Sequence, residues 1–172
     1  MPVYIVLLRA VNVGGTGKLP MAELAAMCVA EGFSKVQTYI ASGNVVFATR
    51  KAPQKARAAL EARLSAHAGK AVAVHIRTRE EMAAVLRANP FPKAPTNSTV
   101  AIFLDRPPHA GALGEATGMG DEEMGLGAQE VYVSYGSGMA SSRLRIPVAK
   151  TGTARNMNTV AKLVELASRI RD

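Results

Sequence analysis

The 172-residue chain has no Trp, a single Cys, three His and only three Asp. One Cys allows neither an internal disulfide nor a cysteine-rich zinc site, and it fits a reducing compartment. His67, His75 and His109 share no metal-ligand spacing with one another or with Cys28, so no metal and no cofactor is expected. The Asp residues are Asp105, Asp121 and Asp172, and the acidic run Asp121-Glu122-Glu123 falls in an expected exposed loop. No pair of carboxylates suited to general acid-base or two-metal chemistry stands out. Long apolar runs are missing too: Val3–Leu8 is stopped after six residues by Arg9. That is too short for a secretory core or a membrane span, so a cytoplasmic protein with no membrane partner is expected. No block of five like charges occurs, which excludes a polyionic tail.

What is present is enough apolar material for a core, 48% of residues with a mean hydropathy near zero. The net charge of +8 is unevenly spread. Residues 1–70 hold nine basic against three acidic residues, a net +6; 71–135 hold five against eight, a net −3; and 136–172 hold seven against two, a net +5. Gly32–Leu60 and Val131–Val164 each carry five Lys or Arg and no acid. Such stretches concentrate positive potential if folding joins them, favouring an anionic partner; dispersed, they serve only solubility.

Periodicity predicts the architecture. Val3–Arg9 reads as a strand with two apolar faces, both to be covered. A Gly-punctuated loop follows, and a helix begins near Pro20 with Met21, Leu24, Ala25, Cys28 and Val29 at helical spacing, closed by Gly32. Val36–Ile40 and Asn44–Ala48 read as a hairpin around Ala41-Ser42-Gly43. Pro53 opens a helix to about Ala68, Gly69 closes it, and Val72–Arg77 alternates as a strand. The order βαββαβ is the ferredoxin-like arrangement, with the first and third strands central in an antiparallel sheet. Beyond it, Thr78 and Glu81 form a capping box for a third helix. A strand at Thr99–Leu104, a short helix at Pro107-Pro108, a Gly-rich loop at Gly111–Gly120 and a hairpin of Glu122–Leu126 with Glu130–Tyr135 are expected next. A last helix is expected over Arg155–Ile170. The fold class is therefore α+β: residues 1–77 a ferredoxin-like subdomain, residues 78–172 a second α+β subdomain packed against it as one compact unit.

Three polar motifs carry candidate chemistry. The loop Asn12–Pro20 lies between strand and helix, where backbone amides cradle phosphates, but Asn12 and Leu19 stand where a phosphate-loop needs Gly and Ser or Thr, and Pro20 stands where a dinucleotide loop needs Gly. An anion-binding loop or a plain turn remains. At Thr153–Thr159, a helical period would set Arg155, Asn158, Thr159 and Lys162 on one polar side, with Thr153 or Asn156 as cap. Ser42-Gly43-Asn44 either presents polar groups at a hairpin tip or is turn chemistry alone. Cys28 lies on an apolar stripe and reads as a buried thiol. Tyr4 and Phe47 would make an aromatic RNA-binding platform only on an open sheet face, which the two-sided apolar strands argue against.

Leu8-Arg9-Ala10-Val11-Asn12-Val13-Gly14-Gly15, Thr38-Tyr39-Ile40-Ala41-Ser42-Gly43-Asn44-Val45-Val46-Phe47 and Thr153-Ala154-Arg155-Asn156-Met157-Asn158-Thr159-Val160-Ala161-Lys162-Leu163 together resemble the bacterial family known as domain of unknown function 1697. The resemblance spans nearly the whole chain and departs at Met157, where an aromatic is common. It implies a compact cytoplasmic α+β domain and places Arg9, Asn12, Ser42, Asn44, Arg155, Asn156 and Asn158 in the family's motifs; it implies no activity, substrate or cofactor. The expected function is binding of an anionic partner, nucleic acid or a phosphate-bearing, nucleotide-like small molecule, through Arg9, Asn12, Ser42, Asn44, Arg155, Asn156, Asn158 and Lys162. Two rivals stay open: a small-substrate enzyme using the same groups as oxyanion or phosphate donors, and a structural or interaction domain in which each is satisfied locally. The sequence does not indicate an oligomeric state.

Overall fold

The computed structural model describes residues 1–10, 18–136 and 138–171. Its first six elements are β1 (Val3–Leu8), α1 (Met21–Ala30), β2 (Ser34–Thr38), β3 (Asn44–Ala48), α2 (Pro53–Ala68) and β4 (Val74–Thr78). They form an antiparallel sheet in the order β2-β3-β1-β4, with the first and third strands central as the crossover rule requires. All six residues of β1 are buried, which is why neither of its faces carries polar residues. On one face Tyr4, Val6 and Leu8 join Val45, Phe47 and Val74 in a core closed by Leu24 and Cys28 of α1 and by Ala56, Leu60 and Leu64 of α2. Each large side chain there contributes about 1.5–3 kcal/mol. Phe47 is fully buried and stacked on Phe33, 4.3 Å between ring centroids, so no aromatic platform faces solvent. The opposite face holds Ile5, Leu7 and Val46 together with buried Asn44, His75 and Arg77.

The second sheet follows α3 (Arg79–Arg87), with β5 (Thr99–Phe103), β6 (Glu123–Leu126), β7 (Glu130–Ser134) and β8 (Thr153–Asn156) in the antiparallel order β6-β7-β5-β8; α4 (Met157–Ser168) ends the chain's regular structure. The capping box forms as expected: Glu81 N donates to Thr78 Oγ1 and Thr78 N to Glu81 Oε2, both at 3.0 Å. One face of this sheet is apolar, with Val100, Val131 and Val133 backed by Ile146, Leu144 and Leu113. The fold is α+β. The chain divides into two compact units, Met1–Met82 with Lys162–Asp172, and Ala83–Ala161.

Three local expectations are corrected. No helix forms at Pro107-Pro108, because two successive prolines lack N–H donors and force the preceding residue out of the helical region. A single 3-10 turn forms instead at Ala112–Glu115, inside the stretch read as loop. The second strand begins at Ser34 rather than Val36, bulged between Ser34 and Gln37 with Lys35 at φ 53°. The largest correction falls on the last motif: Thr153–Asn156 is strand, not the first turn of the final helix.

Candidate functional site

The end of β1 organises the first motif pair. Leu8 N donates to Gly43 O at 2.8 Å and Arg9 N to Ala73 O at 3.0 Å, so Arg9 emerges between the β2–β3 turn and the segment entering β4. The turn is clamped from inside by Asn44, fully buried, whose Nδ2 donates to Tyr39 O at 2.8 Å and to Ser42 Oγ at 3.1 Å. Gly43 at φ 92° supplies the backbone conformation that a side chain would resist. Asn44 and the half-buried Ser42 thereby hold the hairpin that braces Arg9. Asn12, with the glycines of its loop, lies outside the described residues.

Exposed Arg9 lines a cleft of about 360 Å³ together with Lys18, Leu64, His67, Lys70 and Val72. The cleft's lining contains no carboxylate; the nearest partner of one is His67, whose Nδ1 lies 3.2 Å from Glu23 Oε2. Among the described residues neither Lys18 nor Lys70 enters an ion pair. Lys18 belongs to the loop Asn12–Pro20, which the sequence marks as a candidate anion site; His67 is weighed from the sequence only as a metal ligand, and Lys70 is not singled out. Topology carried the necessary information: β4 runs antiparallel beside β1, so the α2–β4 connection after Gly69 must lie at the end of β1 where Arg9 emerges.

The second motif is built differently. On β8 the side chains alternate, and Arg155 points inward with Thr153 while Ala154 is exposed. Arg155 is 7% exposed; its Nη1 donates to Thr153 Oγ1 and Ala154 O, both at 2.9 Å, and burial pushes its pKa down to about 10. It therefore shares no helical face with Asn158, Thr159 or Lys162. Asn156 is the helix cap: its Oδ1 accepts from Thr159 N at 2.9 Å. Exposed Asn158 accepts from Thr96 Oγ1 at 2.7 Å, and Met157 N donates to Thr96 O at 3.2 Å, which ties the segment before β5 to the start of α4. Lys162 lies 3.6 Å from Glu165, one turn on. Arg9, Ser42 and Asn44 are thus neighbours at one end of the first sheet, while Arg155, Asn156 and Asn158 follow one another along β8 and into α4.

Among the described residues no three His, Cys, Asp or Glu side chains gather as a metal would require, and no helix is long and apolar enough to cross a membrane. A family model described as a protein of unknown function, DUF1697, matches residues 1–132. A solved structure described as the conserved bacterial protein SP0830 from Streptococcus pneumoniae superposes with a TM-score of 0.80 at 22% identity, over 96% of this chain and 98% of that one. At that identity the likeness speaks for the fold alone. No curated protein matches the chain.

Proposed function

The chain belongs to the DUF1697 family of proteins of unknown function, and from the geometry of its first unit we propose that it binds a small phosphate-bearing, nucleotide-like molecule in the cleft at the end of β1. The observation that carries this reading is the convergence of Arg9, Lys18 and Lys70 on one cleft of about 360 Å³ with no carboxylate in its lining. Hydrogen bonds from charged donors are worth roughly 1.5–3 kcal/mol each, so two or three of them support affinity in about the micromolar to millimolar range.

A small ligand is favoured over a nucleic-acid strand by what the other cations do. A strand needs a continuous basic track with stacking surfaces. In the acid-free stretch Gly32–Leu60, Lys35 Nζ donates to Arg171 O at 2.9 Å, Arg57 pairs with Glu61 at 2.9 Å, and Lys51 sits over the buried Phe33 ring at 5.6 Å. These cations are held at separate partners, whereas Arg9, Lys18 and Lys70 line one cleft.

A thermal-shift panel of mononucleotides, sugar phosphates and inorganic phosphate tests the reading. At least one phosphate compound should raise the Tm of the native chain but not of an Arg9→Ala/Lys70→Ala variant. No shift across the panel, or equal shifts in the variant, would overturn it. Binding of DNA or RNA at ~50 mM salt with a steep salt slope, and none of mononucleotides, would instead establish the strand version.

A second reading rests on the same cleft. Glu23 against His67 is the pairing of a carboxylate-oriented imidazole, which would make the protein a small-substrate enzyme with the cations as phosphate donors. Turnover of a phosphate ester that His67→Ala abolishes while ligand binding persists would decide for it.

A further inference from the structure

A second cleft, in the unit Ala83–Ala161, has different chemistry. Its volume is about 580 Å³, and Ile102, Leu144, Ile146 and Ala149 supply its apolar lining. Three of these, Ile102, Leu144 and Ala149, are only partly buried, so the apolar cluster behind β5 is left open along one side. Binding clefts for small organic molecules are typically about 300–1,000 Å³, mostly apolar, with a few fixed polar groups. Here those groups are of one sign. Arg145 and Lys150 line the cleft, and no carboxylate does.

Arg145 stands on an anchored backbone. Its backbone forms a two-way bridge with Thr117, Thr117 N to Arg145 O and Arg145 N to Thr117 O, both at 2.9 Å. Its side chain is exposed and makes no ion pair among the described residues. Tyr135 also lines the cleft; its hydroxyl is protonated at neutral pH like that of any tyrosine, and burial with the nearby Glu122 charge raises its pKa further. An apolar wall, a guanidinium carried on an anchored stretch of backbone and a neutral hydroxyl are complementary to a molecule with an apolar body and one anionic head.

We propose that this cleft is a second binding site, for a small amphipathic organic anion, an acyl or aromatic body bearing one carboxylate or phosphate. It shares no residue with the cleft at Arg9. The test uses the full chain, isotopically labelled, titrated with octanoate, with octanol as the tail alone and acetate as the head alone. Octanoate should produce saturable amide shifts at Ile102, Thr117, Leu144–Ile146 and Ala149, with octanol about tenfold weaker and acetate silent. Arg145→Ala should weaken octanoate about tenfold while Arg145→Lys retains part of the affinity. Ala149→Phe should fill the cleft and abolish binding with the charge intact. Arg9→Ala should leave octanoate binding unchanged, so failure here and failure of the phosphate reading are separable. Equal binding of octanol and octanoate, unchanged affinity in Arg145→Ala, or shifts confined to residues around Arg9 would each overturn the proposal.

Discussion

Arg155 and Asn156 are adjacent, both polar, and do different work. Asn156 satisfies the third amide of α4, so Asn156→Ala is expected to cost about 1 kcal/mol and Asn156→Asp much less. Arg155 fills interior space with its stem and bonds Thr153 and Ala154; Arg155→Ala leaves a void and strands the Thr153 hydroxyl, an expected loss on the order of 2–3 kcal/mol. Urea midpoints check both, and phosphate binding at the Arg9 cleft should survive both. Cys28 yields a pH prediction. Burial raises its pKa from 9.0 to about 12. The stability linked to it is fully present below about pH 9, where the thiol is protonated folded or unfolded, and is lost as pH rises toward about 12, since only the unfolded chain gives up its proton. Between about pH 8 and pH 10.5 the native chain should lose more stability than Cys28→Ala does, and a thiol reagent should label Cys28 only after unfolding.

At the scale of elements, β8 is the instructive case. Thr153–Asn156 pairs with β5 in the register Phe103↔Thr153, Ala101↔Arg155 and Val100↔Asn156. Its approach is set by Gly152, where a Cβ would stand 2.8 Å from both Phe103 O and Ile102 Cγ2. Gly152→Ala must push β8 off β5 and is expected to destabilise by about 1–3 kcal/mol. Thermal unfolding measures the loss, and amide exchange along β5 and β8 should rise in the same variant. A four-residue strand with three polar side chains has too little period to be told from a helix start. The pairing with β5, some fifty residues earlier, settles it. The longer elements were legible: α2 begins at Pro53 and ends before Gly69, which takes φ 70° as a closing residue. The capping box at Thr78 and Glu81 is a three-residue pattern whose bonds are local, and it could be read directly.

For the whole molecule, the chain's two ends meet in one unit. Met1–Met82 with Lys162–Asp172 holds fourteen basic and seven acidic residues, a net +7, and Ala83–Ala161 holds seven and six, a net +1. The unit with nearly all of the net charge is the one that carries the cationic cleft. The returning segment brings buried Leu163, Leu166, Ala167 and Ile170. At about 1.5–3 kcal/mol per large apolar side chain, that is comparable to the whole stability of a small domain. Residues 1–82 expressed alone should therefore lack a cooperative unfolding transition, and adding residues 157–172 in trans should restore one, read by circular dichroism. By itself the sequence determined the element order, the central places of β1 and β3 and most helix boundaries, because periodicity, caps and turn chemistry act over a few residues. Only the tertiary structure decided where the polar groups are placed. Arg155 and Asn44 turned inward, while Arg9 met Lys18 and Lys70 in a cleft. Burial of a side chain depends on partners far along the chain, and no local pattern encodes them.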